Sequence, residues 1–265
     1  MSKELLFDAF KHKKVERAPW VPFSGVHSGK LKGYDAEEVL TDGDKLFESL
    51  KEVHRLYTPD GMPIIFDLQV EAEILGCELA WVKDSPPMVK THPLENDDKI
   101  PCDCTLPDKE DGRLPMILEV MRKAKSSIGV DTGLYGLICG PFTLASHLRG
   151  TNIFMDMYDN PHYVIDLIEY AKKVCMRVAE FYIEAGMDVI AFVDPLVSQI
   201  SSDHFQEFLS KPYTELNAFL RVNDVFSSMF VCGDAIIFRS MRTSTLRVRK
   251  RSPIHIMCVL VETFN

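Results

Sequence analysis

The chain has 265 residues, 46% hydrophobic and 26% charged, a composition that allows a core of barrel size and excludes disordered or fibrous classes. Its net charge of −9 is uneven: residues 236–265 carry Arg239, Arg242, Arg247, Arg249, Lys250 and Arg251 against Glu262, a net of +5, which leaves −14 on residues 1–235. An acidic body repels phosphate backbones and no apolar run is long enough to cross a bilayer, so nucleic acid and membrane are excluded as partners and a cytoplasmic protein is expected.

Ser2 caps a predicted helix over 2–16, with Leu5, Leu6, Ala9 and Phe10 on one face. "APWVPF" (18–23) reads as a first strand, its prolines tolerated at a strand start or edge. Val39, Leu46, Leu50, Val53 and Leu56 predict a helical region over 35–57, and "MPIIFDL" (62–68) a second strand. Residues 76–111, with five prolines and "ENDDK", predict a long irregular excursion before a helix over 114–127. "LYGLICG" (134–140) is a third strand, followed by a helix beginning near Thr143. Asn160 before Pro161 marks another helix start, and Gly186 is its left-handed stop. "MDVIAFVD" (187–194) gives a fourth strand, 203–221 a helix, and "SSMFVCGDA" (227–235) a fifth strand.

Apolar strands alternating with amphipathic helices predict an α/β fold with a parallel sheet covered on both faces. Ligand chemistry in such folds gathers where strands end, and here those ends hold Asp67, Gly140, Asp194, Gly233 and Asp234. Seven cysteines, irregularly spaced, argue against a disulfide framework and for most of them being buried reduced thiols. His92, Cys102 and Cys104 lack the paired spacing of a metal finger and read as a solvated loop. Asp67 is a site residue or a cap for the segment from Gln69. Cys232 is a ligand or a buried thiol, and His147 a functional group or a helix-face histidine. Arg149 reads as a loop anchor or a substrate clamp, and Asp194 as a functional group or the cap of the segment after it.

Five segments in order, "KVERAPWVPF", "IIFDLQVEAEILGCEL", "GPFTLASHLRG", "GMDVIAFVDPLVSQISSDHFQEFLSKPY" and "FVCGDA", resemble the uroporphyrinogen decarboxylase superfamily, which includes methylcobamide:coenzyme M methyltransferases. The resemblance covers residues 2 to about 235 and implies a (β/α)8 TIM barrel, here incomplete, with about five of the eight units recognisable. It implies Asp67, His147 and Asp194 as catalytic residues and Phe142, Ser198 and Arg149 as substrate-binding residues. Decarboxylases of this family carry an arginine-rich motif after the first strand, because their substrate bears many carboxylates and arginine's planar fork binds carboxylates in pairs. The matching segment, "FSGVHSGKLKGY", has no arginine, and His147 stands where decarboxylases have a tyrosine.

The resemblance therefore favours the methyltransferase branch: transfer of a methyl group between a corrinoid (methylcobamide) carrier protein and a thiol-type acceptor. Enzymes of that branch use zinc to make the thiolate, held by a His-x-Cys at the fifth strand and a later cysteine. Here the pair reads Phe230-Val231-Cys232, an incomplete metal site. Uroporphyrinogen decarboxylation and a non-catalytic tetrapyrrole-binding remnant are the alternatives. Residues 236–265 are expected to be a basic tail unrelated to the family, from a shifted reading frame, and the open sheet edge this leaves favours a homodimer.

Overall fold

The computed structural model describes residues 2–232 and 256–259; the side chains of Cys232 and of 256–259 lie outside it. Its strands are β1 (Gly61–Pro63), β2 (Leu79–Val82), β3 (Ser85–Val89), β4 (Gly133–Cys139), β5 (Val189–Val193), β6 (Phe226–Cys232) and β7 (Ile256–Val259). In one sheet the order is β1-β4-β5-β6-β7, with β1 through β6 parallel. Tyr135 faces Val189, which faces Phe226, so the register is continuous across the three central strands.

Residues alternate between two apolar layers along these strands. Leu134, Ile138, Ile190 and Phe192 pack outward against the helices, while Tyr135, Leu137, Val189, Ala191, Val193 and Phe230 face inward with Leu6. A strand buried on both faces has no polar side to present, which is why these segments read as unbroken apolar runs. The outer layer rests chiefly on the helix Pro161–Glu184, whose Val164, Leu167, Ile168, Ala171, Val174, Cys175 and Val178 are buried. Each large aliphatic side chain so buried contributes about 1.5–3 kcal/mol.

Several elements depart from expectation for identifiable reasons. The first helix spans Ser2–Phe10 and ends before the basic run Lys11–Lys14, where His12 takes a left-handed conformation at φ 57°. Residues 18–23 form no strand: prolines 19 and 22 lack amide donors, and the segment meets β1 through Trp20, whose carbonyl accepts from the Asp60 and Gly61 amides. The expected helix over 35–57 is two helices, Ala36–Thr41 and Gly43–Tyr57, because Asp42 turns extended and caps the second through Asp44 N and Lys45 N. The excursion at 76–111 contains the antiparallel hairpin β2–β3. The segment 203–221 includes a π-helical turn, Phe205–Leu209, before the helix Ser210–Val222.

The basic tail lies outside the described residues except for β7, which pairs antiparallel with β6 from Met229↔Val259 to Cys232↔Ile256. Among the described residues no helix is long and apolar enough to cross a membrane.

Candidate active site

A cavity of about 320 Å³ lies at the C-terminal edge of the sheet, lined by Phe23, Ser24, Gly25, Val26, Phe66, Leu68, Gln69 and Pro86. Three parts of the chain build it: the segment replacing the expected first strand, the turn after β1, and the β2–β3 hairpin. Its floor is aromatic. Phe23 stacks on Phe230 with ring centres 5.0 Å apart and meets Phe66 edge-on at 5.7 Å. None of the lining residues carries a charge.

Asp67 lies between the lining residues Phe66 and Leu68 but does not itself line the cavity; its carboxylate is buried behind the wall. Oδ1 accepts from the Gln69 amide at 2.9 Å, and Oδ2 from Arg113 Nη1 at 2.6 Å. The same guanidinium donates to Glu73 Oε2 at 2.7 Å and lies 5.2 Å from the centre of the Trp81 ring. Burial opposes the charge on Arg113, but Asp67 and Glu73 outweigh it and raise the affinity of the guanidinium for its proton.

Asp194 lies on the outer face, where β5 ends. Oδ1 accepts from Thr143 N at 2.8 Å and Thr143 Oγ1 at 2.6 Å, and Oδ2 from Phe142 N at 3.1 Å and Tyr213 Oη at 2.7 Å. It thus binds the N-terminus of the helix Pro141–Arg149 from the neighbouring strand, satisfying amides that have no partner within the helix. Gly140 is required for this: a Cβ there would fall 2.3 Å from Asp194 Cβ. Burial pushes the Asp194 carboxyl above its ordinary range, against the four hydrogen bonds that favour its anion.

The remaining expected site residues have other surroundings. The Phe142 ring is fully buried and meets Phe154 edge-on at 5.8 Å. Ser198 Oγ donates to Pro195 O at 2.7 Å within the turn after β5. Arg149 anchors a loop, donating to Leu94 O at 2.7 Å and Asp156 Oδ2 at 2.7 Å and pairing with Asp98 at 2.9 Å. The His147 carbonyl accepts from His92 Nδ1 at 2.8 Å and from the Cys77 thiol at 3.3 Å, while its ring Nε2 is buried without a partner. Burial, followed by the neighbouring His92, lowers the His147 imidazole to about 4, so the ring is neutral. Among the described residues no hydrogen bond joins Asp67, His147 and Asp194 to one another, and the side chain of Cys232 lies outside the description.

Cys77, Cys139 and Cys175 are buried free thiols, and burial raises all three, Cys77 to about 12. None of them is a thiolate near neutral pH. Cys102 and Cys104, in contrast, form a disulfide with each other, within the segment expected to be a solvated loop.

Sequence patterns gave no sign of Arg113 or Pro86, and placed Gln69 and Glu71 inside a family-like segment without a role of their own beyond the cap at Gln69. Glu71, on the short helix Val70–Ile74, is fully buried, and burial raises its carboxyl to about 8. The only available signal was an arginine immediately before a predicted helix, which by itself reads as a surface residue.

The family model for uroporphyrinogen decarboxylase (URO-D) matches residues 1–250. The chain belongs to the uroporphyrinogen decarboxylase family. The match runs past residue 235, where the quoted motifs end. Methylcobamide:CoM methyltransferase MtbA of Methanosarcina acetivorans is 26% identical over 247 residues, 88% of this chain and 70% of that protein. Uroporphyrinogen decarboxylase of Wolbachia pipientis wMel is 25% identical over 200 residues, 74% of this chain and 57% of that one. Among solved structures, a methyltransferase from Methanosarcina mazei superposes with a TM-score of 0.79 at 25% identity, covering 92% of this chain and 73% of that chain. The fold is therefore the family's α/β barrel, with β1, β4, β5 and β6 as consecutive parallel staves.

The zinc centre implied by the methyltransferase branch of the family does not fit the described residues. Phe230 takes the place of the histidine and is committed to the aromatic floor. Among the described residues no group of three or more His, Cys, Asp or Glu side chains converges on one point.

Proposed function

We propose that this member of the family is a corrinoid-dependent methyltransferase that moves a methyl group between a methylcobamide carrier protein and a small thiol-type acceptor. The observation that carries the reading is the uncharged lining of the strand-end cavity. The segment that holds arginines in decarboxylases contributes Phe23, Ser24, Gly25 and Val26 to that lining. A ring with many carboxylates would leave several charges there unpaired, each costing several kcal/mol to desolvate. A methyl group carries no charge, and an apolar wall that excludes water suits its transfer. At about 320 Å³ the cavity is at the small end of ligand pockets, which fits a compact acceptor with the corrinoid face approaching from outside. The name of the Methanosarcina acetivorans relative supports the same chemistry.

In this reading Asp67 is a positioning residue: with Arg113 it fixes the Phe66–Gln69 turn that walls the cavity. Asp194 positions the helix Pro141–Arg149 in the same sense, and the neutral His147 lies on that helix. Phe142, Ser198 and Arg149 support the site through packing, the turn after β5 and the 94–98 loop. Residues 1–235 carry the barrel portion, and the basic segment 236–265 adds β7 to its sheet. No step is assigned to zinc.

The reading is tested by following the absorbance of methylcobalamin with the purified chain and a panel of small thiols, alongside metal analysis. Thiol-dependent loss of the methyl–cobalt bond is expected, and its absence with every thiol counts against the proposal. The alternative, decarboxylation, is favoured by the match of Asp67 to the family's catalytic aspartate and by the Wolbachia relative.

A further inference from the structure

Among the described residues six polar side-chain atoms are buried without a close hydrogen-bond partner, and five of them fall in one neighbourhood: Gln69 Oε1, both carboxyl oxygens of Glu71, which have only the backbone of Glu71 and Cys139 beside them, Arg113 Nη2 and the Tyr182 hydroxyl. The four residues come from the turn after β1, the short helix that follows, the start of the helix Leu114–Ser126 and the end of the helix Pro161–Glu184. They are linked in space. Arg113 and Gln69 both bond Asp67, and the Tyr182 hydroxyl senses the charges of Glu71, Arg113 and Asp67. Gly136 of β4 admits the Tyr182 ring, since a Cβ there would lie 2.7 Å from Cδ2.

A buried polar atom without a partner costs about 1–3 kcal/mol, and folded proteins meet that cost with ordered water where donors and acceptors converge. Here the set is mixed: Arg113 Nη2 and the Tyr182 hydroxyl donate, Gln69 Oε1 accepts, and the Glu71 carboxyl does both when protonated. Water, with two donors and two acceptors, complements such a set, whereas an anion or a metal cation would match only half of it. Gln69 also lines the strand-end cavity, so one residue reaches both the cavity and the buried cluster.

We propose that Gln69, Glu71, Arg113 and Tyr182 form a binding site for ordered water behind β4, continuous with the strand-end cavity through Gln69. This holds whether or not the cavity serves methyl transfer. The groups facing Glu71 are Asp67 and Arg113 from the flanking turns, Cys139 from β4, and Cys175 and Tyr182 from the helix Pro161–Glu184. Burial keeps the Glu71 carboxyl protonated near neutral pH, with its proton directed to the bound water.

Two measurements on the full chain test this. A high-resolution crystal structure should show ordered water within hydrogen-bond distance of Glu71 and Tyr182; a dry site with Glu71 bonded directly to Tyr182 or Arg113 overturns the proposal. Infrared difference spectra near neutral pH should show the C=O stretch of a protonated carboxyl group that is absent in Glu71→Gln, displaced in Tyr182→Phe and unchanged in Glu73→Gln. The band should also shift promptly on transfer to D2O. Absence of the band, its survival in Glu71→Gln, or exchange only on unfolding refutes the site or its connection to the cavity. Should Glu71→Gln fail to fold, Tyr182→Phe and the D2O shift still decide.

Discussion

Arg113 donates to Asp67 across 2.6 Å, joining the turn after β1 to the start of the helix Leu114–Ser126. Neither side chain is presented to solvent, and the guanidinium is held in place by Glu73 and the Trp81 ring. The pair therefore sets the shape of the cavity wall from behind it. Removing Arg113 leaves the Asp67 charge buried without its cation, a larger penalty than the pair's own net stabilisation, whereas removing Asp67 leaves Arg113 paired with Glu73.

Arg113→Met is accordingly expected to destabilise the chain by about 3–5 kcal/mol. Asp67→Asn combined with Arg113→Met should cost less than the two single changes summed, because the stranded charge is gone. Urea unfolding of the four proteins gives the comparison, and strict additivity would show that the two side chains are not coupled.

A second expectation concerns Asp194 and Gly140. Asp194→Asn places an amide among four donors and should cost about 2–4 kcal/mol. Gly140→Ala puts a methyl group 2.3 Å from Asp194 Cβ and should be at least as damaging. Thermal unfolding distinguishes the cases, and an unperturbed Gly140→Ala would contradict the placement of Asp194.

The pH dependence of stability follows from two buried groups with opposite signs. Glu71 is raised from 4.5 to about 8 on folding, so its contribution is fully present below 4.5 and is lost as pH rises through about 8. His147 is lowered from 6.5 to about 4, so its contribution is present above 6.5 and is lost as pH falls through about 4. The two slopes oppose each other between about 4.5 and 6.5, and of these two groups only Glu71 acts from there to about 8. Glu71→Gln should abolish the decline above 6.5, a gain at high pH of at most about 5 kcal/mol. Denaturant midpoints measured across this range provide the check.

Filling the cavity should impair function without unfolding the chain. Ser24→Phe adds a ring to the lining, and thiol-dependent methyl transfer is expected to fall roughly tenfold or more, equivalent to about 1.4 kcal/mol of barrel-independent binding or barrier. Stability should change by about 0.5 kcal/mol or less, as for other substitutions into open space. Equal activity in the variant would remove the cavity from the mechanism.

Much of the barrel was legible because strands buried on both faces have to be apolar throughout, as in residues 134–139 and 189–193, and because Pro161 and Gly186 punctuate the long helix. Residues 18–23 were misread because an extended, proline-spaced segment has the same local pattern whether or not it joins a ladder. The hairpin β2–β3 was hidden by its prolines. Asp194 could be placed at a strand end from sequence, whereas the strand expected over 62–68 ends at Pro63 and leaves Asp67 in the turn beyond it; the direction in which either points could not be read. That depends on Arg113, Tyr213 and Gly140, which are remote in the chain or silent in the pattern. Glu71 could not be found at all, since an acidic residue on a short helix reads as solvent-facing until the packing around it is known.

The sharpest test sets methylcobalamin with a thiol against uroporphyrinogen, on the same preparation of the full chain. Cleavage of the methyl–cobalt bond with formation of the methyl thioether, and no coproporphyrinogen, is the predicted result. Formation of coproporphyrinogen with the methyl–cobalt bond intact would contradict the account, because an uncharged cavity would then be handling a substrate made of carboxylates.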